Sequence, residues 1–241
     1  MKEERYFYTP DAGSTNLLPE DEAAHAVRVL RYAVGDKIRL MDGKGNFYVA
    51  EISETSKKVC KYRILETLPQ TRQWKSFIHI AMAPTKNIER TEWFIEKAVE
   101  IGVDEITLLN TDFSERKKVN IERLEKIIVS AMKQSHKAFK PVLNGLVDFD
   151  SFVKKVDETK RFICHCYMPT PDNHLKEKAL LKDQLDPEDK VVVLVGPEGD
   201  FSLAEVQEAE KLGFVSTSLG NSRLRTETAA LVAVHVMSLF T

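Results

Sequence analysis

Two loops contain the residues whose types and spacing could do chemistry. The first, Gly196-Pro197-Glu198-Gly199-Asp200-Phe201, follows the apolar run 191–195. The second, residues 220–228, follows the apolar run 215–219 and leads into an apolar helix predicted over 229–240. Ligands of open α/β sheets bind at the carboxyl ends of the strands, so the two loops could face one pocket.

The composition of these loops suits them to ligand binding. Gly196 and Gly199 allow a main chain to approach a ligand closely, and Pro197 stiffens that approach. Arg223, Arg225 and Glu227 crowd the start of an otherwise apolar helix, where charges bind a ligand or form a structural ion pair. The first loop could also be a tight turn that only joins a strand to a helix. The first loop lacks GxGxxG and is not followed by Gly-Lys-Ser/Thr, which argues against a Walker-type nucleoside triphosphatase.

Strands alternate with helices from residue 77 onward. The predicted strands cover 77–82, 106–109, 161–167, 191–195 and 215–219. The predicted helices cover 89–101, 121–131, a segment from the capping box of Ser202 and Glu205 to about residue 212, and 229–240. This alternation predicts an α/β domain with a mostly parallel sheet.

The first seventy residues predict a smaller β-rich domain. A helix is expected over 20–31, strands over 37–41 and 47–52 flank a turn at 42–45, and a further strand covers 59–65. This pattern fits a small β-barrel or sheet. A composition break at 68–73 predicts a linker, which divides the chain into domains 1–68 and 74–241.

Composition excludes several classes of protein. The chain has 241 residues, a formal charge of −2 and 43% hydrophobic residues, which excludes a disordered chain. It shows no signal-peptide pattern and no apolar run long enough to span a bilayer, so a cytoplasmic protein is expected. Three cysteines do not suggest a disulfide framework; Cys164 and Cys166 are predicted to be core thiols, with a zinc site as the less favoured alternative. Basic stretches over 57–75 and 116–140 could bind a polyanion or be solvated faces.

The two loops also carry a family resemblance. Residues 196–202, Leu219-Gly220 and Leu224-Arg225-Thr226-Glu227-Thr228-Ala229 resemble the C-terminal motifs of the ribosomal RNA small subunit methyltransferase E family, which belongs to the SPOUT methyltransferases. Weaker similarities occur along the rest of the chain. The sequence departs from the family pattern at Asp200, Lys137 and Arg223, which stand where glycine, arginine and an aliphatic residue are usual.

The resemblance implies a trefoil-knotted α/β methyltransferase domain with a mostly parallel sheet, preceded by a PUA-like β-barrel that binds RNA. It implies S-adenosylmethionine as methyl donor, N3 of a uridine in 16S ribosomal RNA of the small subunit as acceptor, a homodimer, and no metal or membrane. The residues implied to bind the donor are Leu194, Gly196, Glu198, Gly199, Leu219, Gly220, Leu224 and Thr226.

The resemblance also suggests roles in catalysis and RNA binding. Glu227 is the candidate base for the N3 proton, and Arg225 is the candidate for stabilising charge on the uracil oxygens. The candidate RNA-binding residues are Arg5, Arg28, Arg31, Arg116, Lys117 and Lys137. A non-catalytic RNA-binding protein and a small-molecule nucleotide enzyme are the alternatives, and the basic stretches count against the second.

Overall fold

The computed structural model describes residues 5–56, 58–187 and 189–240. The chain divides into two structural units. Unit 1 comprises the chain up to Arg72 together with Val129–Lys140, and unit 2 comprises Gln73–Ile128 and the chain from Pro141 onward. The chain thus returns to unit 1 after it has entered unit 2. The domain limits 1–68 and 74–241 stay a prediction.

Unit 1 is built on a four-stranded sheet in the order β1-β2-β3-β4. The strands are β1 (Tyr6–Tyr8), β2 (Lys37–Met41), β3 (Asn46–Thr55) and β4 (Cys60–Pro69). β1 pairs parallel with β2, and the other two pairings are antiparallel. The sequence patterns missed β1 and underestimated the length of β3 and β4. Because β4 continues to Pro69, the first two residues of the predicted linker are part of the sheet.

In the structure, the helix predicted over 20–31 ends two residues earlier, and its second half is π-helical instead of α-helical. It begins as α1 (Glu20–Ala24) and continues as a π-helical turn (His25–Val29). The turn is closed by a hydrogen bond from Leu30 N to His25 O at 3.0 Å, and Arg31 follows with a φ of +57°. The helical spacing of apolar residues did not distinguish a π turn from an α-helix, because both bury one face.

The turn at 42–45 is confirmed. The Asp42 carboxylate accepts hydrogen bonds from Lys44 N at 2.7 Å and Asn46 N at 3.0 Å. Gly45 has a φ of +104°, and a Cβ there would lie 2.7 Å from the ring of Phe139. Both the backbone conformation and the packing therefore require glycine at this position.

Residues 129–140 are held in unit 1 by contacts with its sheet and helix. Lys133 Nζ lies 2.7 Å from Oε1 of the buried Glu22. Lys140 N donates to Gly43 O at 2.9 Å, and Gly45 N donates to Ala138 O at 3.0 Å. Since Lys133 is ion-paired inside the unit, the second basic stretch is not a uniformly solvated face.

Unit 2 contains a seven-stranded sheet in the order β7-β6-β5-β10-β8-β11-β9. Its strands are β5 (Phe77–Met82), β6 (Glu105–Asn110), β7 (Val142–Asp148), β8 (Lys160–Cys164), β9 (Ala179–Leu180), β10 (Lys190–Val195) and β11 (Val215–Ser218). Every pairing in this sheet is parallel. The predicted α/β class is confirmed, and the trefoil knot stays a prediction from the resemblance.

Five further α-helices and a 3₁₀ turn (Leu181–Asp183) occur among the described residues. The helices are α2 (Ile88–Ile101), α3 (Ile121–Ser135), which continues into unit 1, α4 (Phe149–Val153), α5 (Leu203–Lys211) and α6 (Thr226–Leu239). α6 packs against α2, β5 and β10, and the central strands are almost completely buried. The helix predicted over 229–240 begins three residues earlier, which places Glu227 in its first turn. Among the described residues, no helix is both long and apolar enough to cross a bilayer.

Candidate active site

The parallel strands bring both predicted loops to one edge of the sheet in unit 2. β10 pairs with β5 on one side and β8 on the other, and β8 pairs with β11. The loops that follow β10 and β11 are therefore two strand positions apart, roughly 10 Å. The residues after β8 lie between them. This edge contains most of the residues expected to do chemistry.

Asp200 organises the loop that follows β10. Its φ is +67°, and its N–H donates to Pro197 O at 2.9 Å, which closes a turn. Its carboxylate accepts hydrogen bonds from Cys166 N at 2.7 Å and Phe201 N at 2.8 Å. Aspartate tolerates the left-handed conformation better than most residues, so it can replace the glycine usual in the family. A Cβ at Gly196 would lie 2.9 Å from Phe201 N, so the fold of the loop itself requires this glycine.

The loop that follows β10 also contacts neighbouring loops at this edge of the sheet. Glu198 Oε1 accepts a hydrogen bond from Lys86 N at 3.0 Å in the segment after β5. A Cβ at Gly199 would lie 3.1 Å from the Cβ of Phe113, which follows β6. Glu198 and Gly199, both expected to bind the donor, thus also hold the loop against the rest of the sheet edge.

The loop that follows β11 leaves free space beside its main chain at Gly220. Gly220 has a φ of +129°, and, apart from its own chain neighbours, no atom of the residues that the structure describes lies within 4 Å of the position of a Cβ there. Leu219, which precedes Gly220 in sequence, and Leu224, which follows it, are half-buried, and Thr226 is buried. Leu194 differs from these leucines, because its side chain is 0% exposed within the core. We therefore expect its side chain to support the site from beneath.

Glu227 is a buried carboxylate with an unsatisfied oxygen. It is 7% exposed, and its Oε2 atom has no hydrogen-bond partner among the described residues. Its Oε1 atom lies 3.9 Å from Nε of Arg90 in α2. Arg225 is exposed, and it begins α6 without a side-chain cap. The ion pair at the start of α6 is therefore formed between Glu227 and Arg90, a residue that the sequence patterns did not single out.

The segment after β8 holds ionisable groups that are not suited to nucleophilic chemistry. Burial raises the pKa of the Cys164 thiol to about 12. Partial desolvation and the negative charge of Asp200 also raise the pKa of the Cys166 thiol. Burial and the positive charge of Lys178 lower the pKa of His165 to about 4. The thiols are thus protonated and the imidazole neutral near pH 7. Cys166 is exposed, so its prediction as a core thiol is wrong.

The candidate RNA-binding residues fall into both units. Arg28, Arg31 and Arg5 are exposed in unit 1, whereas Lys137 is half-buried and its pKa is lowered by that burial. In unit 2, Lys117 is exposed and its ammonium donates to Asn110 Oδ1 at 2.8 Å.

Arg116 is already engaged within the protein. Its guanidinium donates to Thr85 O at 3.0 Å and to Lys86 O, so it fastens the segment after β6 to the segment after β5. Arg116 therefore has a structural role in addition to any contact with RNA.

A second group of ionisable side chains lies in the sheet away from the two loops. His79 Nδ1 is 2.5 Å from Oε1 of the buried Glu158, and His79 Nε2 is 2.8 Å from Thr107 Oγ1. Glu105 completes a set with His79 and Glu158 whose potential ligand atoms lie within 4.8 Å of one another. Both imidazole nitrogens already have protein partners. The arrangement is that of a buried hydrogen-bond network between the strands.

Two family models match the chain. The RNA methyltransferase domain matches residues 72–238, and the RNA methyltransferase PUA domain matches residues 18–65. These segments together cover most of the chain. They correspond to the α/β sheet, with the edge that carries the two loops, and to much of the N-terminal sheet.

Individual relatives agree with the family models. A crystal structure from Porphyromonas gingivalis, described as a probable rRNA-methyltransferase, is 41% identical, has a TM-score of 0.88 and covers 98% of both chains. The ribosomal RNA small subunit methyltransferase E of Neisseria gonorrhoeae, solved with S-adenosyl methionine, is 25% identical with a TM-score of 0.82 and 98% coverage of both chains. The enzyme of that name from Buchnera aphidicola (strain APS) is 28% identical over 94% of this chain and 88% of its own length. The chain therefore belongs to the ribosomal RNA small subunit methyltransferase E family of RNA methyltransferases.

Proposed function

We propose that this enzyme transfers the methyl group of S-adenosylmethionine to N3 of one uridine in the 16S RNA of the small ribosomal subunit. Membership of the family supports the reaction class. The observation that carries the proposal is the buried Glu227 carboxylate at the start of the helix that follows the loop of Gly220. Its Oε2 atom has no hydrogen-bond partner in the part of the chain that the structure describes.

The residues present fit S-adenosylmethionine. The open main chain at Gly220 leaves a space that a Cβ would fill, and the half-buried Leu219 and Leu224 offer apolar surface for an adenine ring. The loop of Gly196 and Gly199 would complete the donor site from the end of β10. When bound, the donor supplies a methyl group that is already activated by its positive sulfonium. The protein must mainly align the acceptor nitrogen with that methyl group and exclude water.

Glu227 and Arg225 would handle the charges of the reaction. The N3 atom of uridine bears a proton that must leave as the N3–CH₃ bond forms and the S–CH₃ bond breaks. Oε2 of Glu227 can accept this proton, since no donor from residues 5–56, 58–187 or 189–240 is bonded to it. Arg90 Nε lies 3.9 Å from Oε1 of the same carboxylate, and the exposed guanidinium of Arg225 can approach the uracil oxygens.

RNA recognition would depend on both units. N3 lies on the Watson–Crick edge, so the target uridine must be unpaired or flipped out of a helix. We assign phosphate contacts to Arg5, Arg28, Arg31 and Lys137 in the PUA-like unit, and to Lys117 and Arg116 in the catalytic unit. We further propose that the enzyme acts as a homodimer in the cytoplasm, without a metal ion, on the ribosomal subunit.

The decisive experiment is transfer of labelled methyl from S-adenosylmethionine to small ribosomal subunits that lack the modification, followed by mass mapping of the labelled nucleotide. We expect one labelled uridine, modified at N3. Subunits that already carry the modification are the control and should take up no label. Binding of S-adenosylmethionine and RNA without transfer would instead support a non-catalytic RNA-binding protein.

A further inference from the structure

Phe113 is an exposed aromatic side chain on a firmly held turn. Half of its surface (50%) is exposed to solvent. The turn is closed by a hydrogen bond from Ser114 N to Thr111 O at 3.1 Å, and the side chains of the same two residues are 2.9 Å apart. The aromatic ring is therefore presented from a well-defined backbone.

The preceding residue fastens this turn to the catalytic edge. Asp112 N donates to Oε1 of the buried Glu205 at 3.0 Å, and the Asp112 carboxylate accepts a hydrogen bond from Ser202 Oγ at 2.6 Å. Ser202 and Glu205 form the capping box of α5, directly after the loop that follows β10. The position of Phe113 is thus coupled to that loop.

Phe113 also touches the loop directly. A Cβ at Gly199 would lie 3.1 Å from the Cβ of Phe113 and 3.7 Å from its Cγ. A larger residue at position 199 would press on the aromatic side chain. The phenyl ring therefore lies beside the loop to which we assign donor binding.

Cationic side chains follow Phe113 along the chain. Arg116 fastens the segment after Phe113 to Thr85 and Lys86, and Lys117 and Lys118 are exposed. Single exposed apolar residues are common on protein surfaces. An exposed aromatic side chain on a hydrogen-bonded turn, beside the loop that follows β10 and followed along the chain by cationic residues, is instead the kind of arrangement that proteins use to bind an unpaired base and its phosphate.

We propose that Phe113 forms a stacking platform for the unpaired uracil that receives the methyl group. The proposal rests on the proposed function, and it adds a binding subsite for the base. Stacking on the phenyl ring would limit the rotation of the uracil in the site. Phe113 takes no part in proton transfer, so its contribution is to position the acceptor.

The first test measures kcat/KM for unmodified small subunits in the variants Phe113→Ala, Phe113→Leu and Phe113→Trp. Loss of a base–aromatic stack typically lowers affinity roughly 5- to 150-fold, so we expect a decrease of that size in kcat/KM for Phe113→Ala. Phe113→Trp should retain most activity, whereas Phe113→Leu should resemble Phe113→Ala, because leucine has no π face. Val215→Ala is the control, since Val215 is similarly exposed but begins β11.

Binding of S-adenosylmethionine separates stacking from support of the loop. The Kd for the donor should stay within about twofold in all Phe113 variants. A parallel rise in this Kd would overturn the proposal, because it would mean that Phe113 only supports Gly199. Full activity of Phe113→Ala, or of Phe113→Leu, would overturn it as well.

A second measurement does not depend on methyl transfer. Titration of the Phe113→Trp variant with a short single-stranded RNA that contains uridine should quench its added tryptophan fluorescence, relative to the wild-type protein titrated in parallel. The same RNA with every uridine in a duplex should quench it far less. If the wild-type enzyme transfers no methyl group but the quenching occurs, the proposed reaction fails and the base-binding subsite stands. Absence of quenching overturns the subsite.

Discussion

One oxygen of the Glu227 carboxylate lies 3.9 Å from Arg90 Nε, at ion-pair distance, and the other has no hydrogen-bond partner among the residues that the structure describes. If this oxygen accepts the N3 proton, Glu227→Gln should lower kcat about 10²- to 10⁴-fold, the usual range for loss of a general base. The Kd of S-adenosylmethionine should change less than about twofold, because the two side chains have nearly the same shape. Single-turnover methyl transfer and equilibrium donor binding measure the two quantities.

Glu89→Gln is the matched control for this variant. Glu89 is exposed in the first turn of α2, next to Arg90 in sequence, so the same chemical change there should leave kcat unchanged. Equal losses of kcat and donor affinity in Glu227→Gln would show that Glu227 shapes the pocket and does not take the proton.

Asp200 combines a left-handed backbone with two accepted hydrogen bonds. Asp200→Ala removes both hydrogen bonds. It also leaves a residue at a φ of +67° whose side chain cannot form the local hydrogen bonds that let aspartate adopt this conformation. The substitution should therefore destabilise the protein by about 1–3 kcal/mol. Asp200→Gly relieves the backbone but loses the bonds, and Asp200→Asn keeps an acceptor in a tolerated conformation. We expect the order of stability Asp, Asn, Gly, Ala in urea unfolding. A glycine variant as stable as the wild type would show that the carboxylate bonds contribute little.

The hydrogen-bond network of His79, Glu158 and Thr107 should make the free energy of unfolding decrease at acid pH. Burial opposes ionisation of Glu158, but its hydrogen bond with His79 and the charge of His79 outweigh burial and lower its pKa. A carboxylate with a lowered pKa in the folded state stabilises the fold above its unfolded pKa of about 4.3 and loses that contribution as the pH falls. Stability should therefore drop below about pH 4.5.

Glu158→Gln tests the origin of this acid loss. The variant should be less stable near pH 7, and its free energy of unfolding should fall less steeply below about pH 4.5 than that of the wild type. Glu177→Gln, at an exposed site, should reproduce the wild-type slope. An unchanged slope in Glu158→Gln would assign the acid loss to other carboxylates.

The return of the chain to unit 1 limits how the protein can be divided. A fragment of residues 74–241 would retain 129–140 but lose the sheet that binds it. Ala138 is 7% exposed in the full chain, and Lys133 would lose its ion pair with Glu22. We expect this fragment to melt at a lower temperature than the full chain and to associate, as measured by calorimetry and sedimentation velocity. A monomeric fragment with an unchanged Tm would show that the domain limits 1–68 and 74–241 separate independent folding units.

Much of unit 2 could be predicted from local patterns. The apolar runs at 77–82, 191–195 and 215–219 correspond to β5, β10 and β11, and the capping box of Ser202 and Glu205 is present in the structure. Such signals depend on neighbours within a few residues, so they can be read from the chain. The motifs of the two loops likewise indicated the family, because they are contiguous in sequence.

Other features depend on contacts between distant residues. Arg90 meets Glu227 because α2 packs on α6, and Phe113 meets Gly199 because two loops converge beside α5. No local pattern distinguishes these residues from ordinary surface side chains. The same holds for residues 129–140, whose partners are about a hundred residues earlier. Hydrophobic periodicity therefore indicated many of the strands and helices, though not β1, β7 or β9, and the contiguous motifs indicated the family. Long-range packing decided which charges and rings meet at the edge of the sheet in unit 2, since side-chain proximity is a property of the folded chain.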